Sequence, residues 1–162
     1  MNEVIGQLRA GTGIVTSVLR VVTGVLLAWH GWRKFDDGIE GFEGFLDFLG
    51  LPAPGLLAVV VALLELVGGI LLAIGLFSRL VALLFVVEFA AIFFWVKLIK
   101  LDPVLLVGGE SPGVELDLIY LASAIFFLVA GPGAIAADRV FGLEPEPEPL
   151  ADSAPAMEPA HA

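Results

Sequence analysis

The residue pattern predicts an all-α integral membrane protein: a four-helix bundle with a short amphipathic interfacial helix after the first span and a disordered, acidic, Pro-rich tail. Four long apolar runs nearly use up the 162 residues, and each approaches the roughly 20 residues a helix needs to cross about 30 Å of hydrocarbon. Hydrophobic residues make up 59% and charged residues only 16%, with a mean hydropathy of +0.99, more apolar than a water-soluble domain. Three ionisable residues, Arg20, Glu65 and Glu88, lie inside these runs. Such a group costs roughly 2.5–3.5 kcal/mol at the centre of a span, so it turns inward and pairs. Lipid offers the backbone no hydrogen-bond partners, which leaves helices or closed barrels as the spanning structures.

The first span is expected over residues 12–35. It follows Asn2, Glu3, Gln7 and Arg9 and ends at Gly31, Trp32, Arg33 and Lys34. Its length and the lack of a small-residue cleavage site argue against a removable signal peptide. Ile39, Phe42, Phe45, Leu46 and Leu49 then recur at helical spacing, with Glu40, Glu43 and Asp47 between them. That pattern suits an amphipathic helix on the membrane surface, or a cap folded over the mouth of the bundle. The second span, residues 54–77, starts at the turn Pro52, Ala53, Pro54, Gly55. Ser78 and Arg79 leave so short a connection that the third span, residues 79–98, must run antiparallel beside the second. Ser111 and Pro112 read as an N-cap and first-turn proline for the fourth span, residues 112–130. Gly131, Pro132 and Gly133 end it. Residues 1–142 form one domain, and the Glu-Pro repeats within residues 143–162 make a disordered tail.

The net charge of −10 is concentrated in the first loop (Asp36, Asp37, Glu40, Glu43, Asp47) and in the tail (Glu144, Glu146, Glu148, Asp152, Glu158). No basic patch suits nucleic acid, so the expected partners are the lipid bilayer and other membrane subunits or further copies of the chain. Arg9, Arg79 and Arg139 fall on one side and Arg33, Lys34, Lys97 and Lys100 on the other, a near-balance that leaves orientation open. The chain has no cysteine, which removes disulfides, thiol redox chemistry, thiolate zinc and iron–sulfur ligation.

On the first span, Thr16, Thr23 and His30 recur every seven residues, and Arg20, Gly24, Leu27, Gly31 and Lys34 extend the same stripe. The second span presents Ala62, Glu65, Gly69 and Gly75, with Gly68 alongside, small residues that allow close helix packing. Depths counted at 1.5 Å per residue bring Arg20, Glu65 and Glu88 to one central layer. With one cation and two carboxylates there, both acids cannot readily ionise together. The bland alternative is a structural ion pair that fixes helix register. A second, outer layer gathers His30, Lys34 and Lys97 with Glu115, Asp117 and Tyr120, flanked by Trp29, Trp32 and Trp95. For its members, ordinary interfacial or solvated helix-end roles are the competing explanation.

Sharper sites are excluded. Neither Glu65 nor Glu88 has a histidine three positions on, as a di-iron bundle requires. His161 sits in the tail and cannot complete a bis-histidine haem site. Gly108 and Gly109 lack the strand and lysine of a phosphate loop. No metal site or covalently bound cofactor is expected, the catalytic residues are unassigned, and an independent enzyme is the least supported reading.

Four segments resemble the DoxX family of small bacterial and archaeal membrane proteins: LLAWHGWRKF with Gly31 and Lys34; LLELVGGILLAIGLFSRL with Glu65, Gly68, Gly69, Gly75 and Arg79; GVELDLIY with Glu115; and GPGAIAADR with Asp138 and Arg139. The resemblance spans about residues 18–139. It implies a four-helix bundle of the plasma membrane linked to quinone-dependent redox systems, with quinone as a non-covalent ligand. The leading expectation is therefore an accessory subunit of a quinone-linked membrane oxidoreductase complex, in which His30, Lys34, Glu115, Asp117 and Tyr120 contact the quinone. A small transporter or proton-conducting protein, suggested by the buried carboxylates, and a purely structural scaffold are the alternatives.

Overall fold

A computed structural model describes residues 2–100 and 114–144, with side chains over residues 12–96 and 115–144. Every regular element among the described residues is helical. Helix α1, Asn2–Asp36, is continuous for 35 residues, ten residues longer at its start than expected. Helix α2, Ile39–Phe48, follows a left-handed Gly38. Helix α3, Pro54–Ile74, contains a π-helical turn at Leu64–Gly68. It stops three residues before the expected end. Gly75, at φ 75°, ends it as the left-handed C-cap, and Gly75 and Leu76 both donate to the Leu71 carbonyl. Helix α4 is α-helical over Ser78–Ala91 and continues as a π-helix over Ile92–Lys100. Helix α5 covers Val114–Ala130, and a final turn, α6, covers Ala137–Val140. The Ser111–Pro112 cap and all but the first two residues of the expected tail lie outside the described residues.

Among the described residues, three helices are long and apolar enough to cross a membrane: Thr12–Asp36, Pro54–Ile74 and Ser78–Val96. Their outward faces are hydrocarbon. Val18, Val22 and Val25 of α1, Val60, Val67 and Ile70 of α3, and Leu80 and Val87 of α4 are all exposed. Arg20, Glu65 and Glu88 are only 2%, 5% and 8% exposed. Ionisable groups inside and hydrocarbon outside is the arrangement lipid demands.

The main partnerships are α1 with α3 and α4 with α5. Glycine sets the first. A Cβ on Gly24 would lie 2.6 Å from the Gly69 carbonyl and 2.5 Å from the Ala73 nitrogen, and one on Gly31 would lie 2.7 Å from the Ala62 carbonyl. The two backbones therefore touch, antiparallel, in a register that any larger residue would break. Helices α3 and α4 meet across Gly68, whose missing side chain makes room for Phe85 and Val81. The apolar centre comprises Leu27 of α1, Leu72 of α3, Val81, Phe85 and Phe89 of α4, and Tyr120 and Phe127 of α5.

Helix α2 packs on α3, burying Leu46 and Leu49 while Phe48 stays 80% exposed. Of the two roles open to this segment, the contacts match the cap: Phe42, Phe45 and Leu46 form one wall of the cavity described next.

Candidate functional site: a carboxylate-lined cavity

The expected central layer divides into two polar nodes, one at each end of the apolar centre. Arg20 does not join Glu65 and Glu88. Its guanidinium donates to the carbonyls of Leu72 (2.7 Å) and Ile135 (2.6 Å). It thereby adds a second donor to a carbonyl in the last turn of α3 that already accepts from Gly75 N. Asp138 completes this node. Its carboxylate accepts from Phe77 N (2.6 Å) and Ser78 N (2.8 Å), capping the start of α4 and holding Phe77 in its left-handed conformation at φ 52°. Arg79 closes the same end by donating to the Leu128 carbonyl near the end of α5 and to Glu144. Arg139 donates to the Gly133 carbonyl. Arg79, Asp138 and Arg139 thus tie helix ends together.

The cation that meets Glu65 is Lys34, through a hydrogen-bonded ion pair. The reason lies in side-chain direction. Cβ atoms lean towards a helix's N-terminus, so in an antiparallel pair the Lys34 chain reaches back along α1 as the Glu65 chain leans towards it. Arg20 stands fourteen residues earlier on α1, about 21 Å away along the axis. The Lys34 ammonium also lies 5.0 Å from the centroid of the Phe42 ring, a cation–π contact supplied by α2.

Above this pair lies a cavity of about 980 Å³. Its polar lining consists of His30, Lys34, Glu65, Glu88, Asp117 and Tyr120. The two anticipated layers are therefore one site, less Arg20 and less Glu115, which is exposed and does not line the cavity. Arg20 and Glu115 are corrections to the sequence reading. Arg20 belongs to the opposite node because helix register, invisible in one chain, outweighs depth. Glu115 points outward because Asp117 and Tyr120 occupy the inward face of α5. The side chain of Lys97 lies outside those described.

Glu65 and Leu64 sit in the π-helical turn of α3, and Ile92, Trp95 and Val96 on the π-helical part of α4. A π turn takes in an additional residue and so shifts the face that later side chains present, a device found often at functional sites. Tyr120 is 5% exposed; it stacks on Phe89 at 5.2 Å and meets the His30 ring edge-to-face at 5.7 Å. Glu88 lies near enough to Glu65 and Lys34 to feel both charges. Among the described residues, neither of its carboxyl oxygens has a hydrogen-bond partner. The π turns and the Asp138 cap were not anticipated, whereas the α2 wall is the cap that the helical spacing of Phe42 and Phe45 left open as one of two roles.

Comparison with known proteins bears on the same segments. The DoxX family model matches residues 15–98, which carry Lys34, Glu65 and Glu88. CatD of Bacillus subtilis, a protein provisionally named as an oxidoreductase, is 33% identical over 129 residues, covering 77% of this chain and 85% of CatD. An uncharacterized protein of Haemophilus influenzae is 31% identical over 76% of this chain and 87% of its own length. An uncharacterized membrane protein of Mycobacterium tuberculosis is 28% identical over 75% and 77% respectively. No solved structure matches. With its apolar helices and inward-facing ionisable residues, the chain belongs to the DoxX family of membrane proteins.

Proposed function

We propose that this DoxX protein crosses the plasma membrane of a bacterium or archaeon four times and serves as an accessory subunit of a quinone-linked redox complex. Helix α5 is the candidate fourth span: it packs along α4 and turns Ile119, Ile125 and Val129 outward. The three relatives described above are bacterial, and one of them, CatD, carries the oxidoreductase name.

The observation that carries the proposal is the cavity itself. Its volume, about 980 Å³, lies within the range of small-molecule sites. A quinone head is a flat ring with two carbonyl acceptors, and Lys34, His30, Tyr120 and Trp95 are donor-bearing side chains on the lining. Apolar residues such as Phe45, Leu84 and Val87 surround these groups and suit a ring and its prenyl tail. Titration of purified protein in lipid nanodiscs with a short-chain quinone tests this. Binding should saturate and should weaken about tenfold in Glu65→Gln, which loses the charge that fixes Lys34. A wild-type protein that shows no saturable binding would refute the site.

The unpartnered Glu88 favours a second reading, a proton path. Against it, Leu27, Leu72 and Phe85 fill the interior beyond the cavity, between it and Arg20. Proton flux into liposomes that disappears in Glu88→Gln would select this reading instead.

A further inference from the structure

Resting on the proposed quinone site, we infer that the cavity discriminates by redox state and holds the reduced, dihydroxy form of its ligand more tightly than the quinone. The inference starts from Glu88. The residue is 8% exposed and lines the cavity, and both its oxygens lack partners among the described residues. Burying a carboxyl in this condition is costly, and the cost falls when a bound molecule supplies the missing hydrogen bonds. The neighbouring Glu65 already has its donor in Lys34, so Glu88 is the group left to be matched.

The two redox forms differ in what they can offer it. A quinone carbonyl only accepts. A hydroquinone hydroxyl both donates and accepts. If Glu88 is ionised, the hydroxyl donates to it, whereas a quinone carbonyl meets it oxygen to oxygen. If Glu88 is protonated, the hydroxyl can accept from its O–H and donate to its carbonyl oxygen, whereas a quinone leaves that oxygen unmatched. In either protonation state the reduced ligand makes one more hydrogen bond. Lys34, His30, Tyr120 and Trp95 do not reverse this preference, because a hydroxyl oxygen accepts from them as a carbonyl does. A site with this preference raises the midpoint potential of the bound couple, and it retains the product of quinone reduction beside the enzyme that made it.

One extra buried hydrogen bond corresponds to about tenfold in affinity, equivalent to a rise of about 30 mV in the bound couple. The test is anaerobic titration of the full chain in nanodiscs with decylubiquinone and decylubiquinol, for wild type and Glu88→Leu. Leucine offers a hydrogen bond to neither ligand, so the difference between them at this position disappears. The expected result is about tenfold tighter binding of the quinol by wild type and a ratio near one in the variant. Equal affinities in wild type, or tighter quinone binding, would overturn the inference while leaving the quinone site standing. Wild-type protein that binds neither form would overturn both. The wild-type ratio decides the matter even if the variant fails to fold.

Discussion

Lys34, near the end of α1, donates to the Glu65 carboxylate in the π-helical turn of α3. The pair joins a helix end to the interior of a neighbouring span, and it forms one wall of the cavity. The Glu65 side chain is 6% exposed and that of Lys34 is 20% exposed, so the two charges differ in their access to solvent. Removing one partner from such a pair costs more than replacing both, because the remaining buried charge is stranded. Lys34→Met should therefore destabilise the protein by about 3 kcal/mol. The double variant Lys34→Met, Glu65→Leu should recover most of that loss. Thermal unfolding in detergent across the full mutant cycle measures both effects.

Helix register rests on the contact between Gly24 and Gly69. Gly24→Ala would place a methyl group inside the backbone of α3 and should cost about 3 kcal/mol, the upper end of ordinary overpacking. Gly44 of α2 provides the contrast, since a Cβ there meets nothing within 4 Å. Gly44→Ala should stabilise by about 0.5–1 kcal/mol, through helix propensity alone. Denaturation midpoints of the two variants, measured side by side, should move in opposite directions.

Asp138 tests the other node. Asp138→Ala removes both acceptors from the first amides of α4 and should cost about 2 kcal/mol, as the strongest N-caps do. Hydrogen exchange should show faster opening at Phe77 and Ser78. Quinone affinity should not change, because Asp138 lies away from the cavity lining.

Arg20 separates stability from ligand binding most cleanly. Its planar fork reaches two carbonyls on different segments, a geometry lysine cannot reproduce. Arg20→Lys should lower the unfolding temperature while leaving quinone titration within error of wild type. A large loss of quinone affinity in this variant would place Arg20 in the ligand site, contrary to its position.

The residues that had to face inward were legible in the sequence because lipid makes the rule severe. Arg20, Glu65, Glu88 and Tyr120 are all buried, and the second-layer residues His30, Lys34, Asp117 and Tyr120 do gather. Which of them meet was not legible. Depth along one helix carries no information about a neighbour's register, and that register depends on backbone contact at Gly24, Gly31 and Gly69. The π turn at Leu64–Gly68 leaves no mark on an unbroken apolar run. Asp138 lies 60 residues from the Ser78 amide it caps, so no local pattern links them. Phe42 had the right spacing for a helix face, but whether that face meets lipid or the bundle depends on how the chain turns at Gly38.

Native mass spectrometry of the protein extracted gently from its own membrane tests most directly whether the cavity is a quinone site. The expected spectrum shows wild-type protein carrying one quinone or quinol per chain, with the bound mass lost or sharply reduced in Glu65→Gln. Wild-type protein that retains phospholipid but never a quinone, under conditions that preserve known quinone complexes, would contradict it.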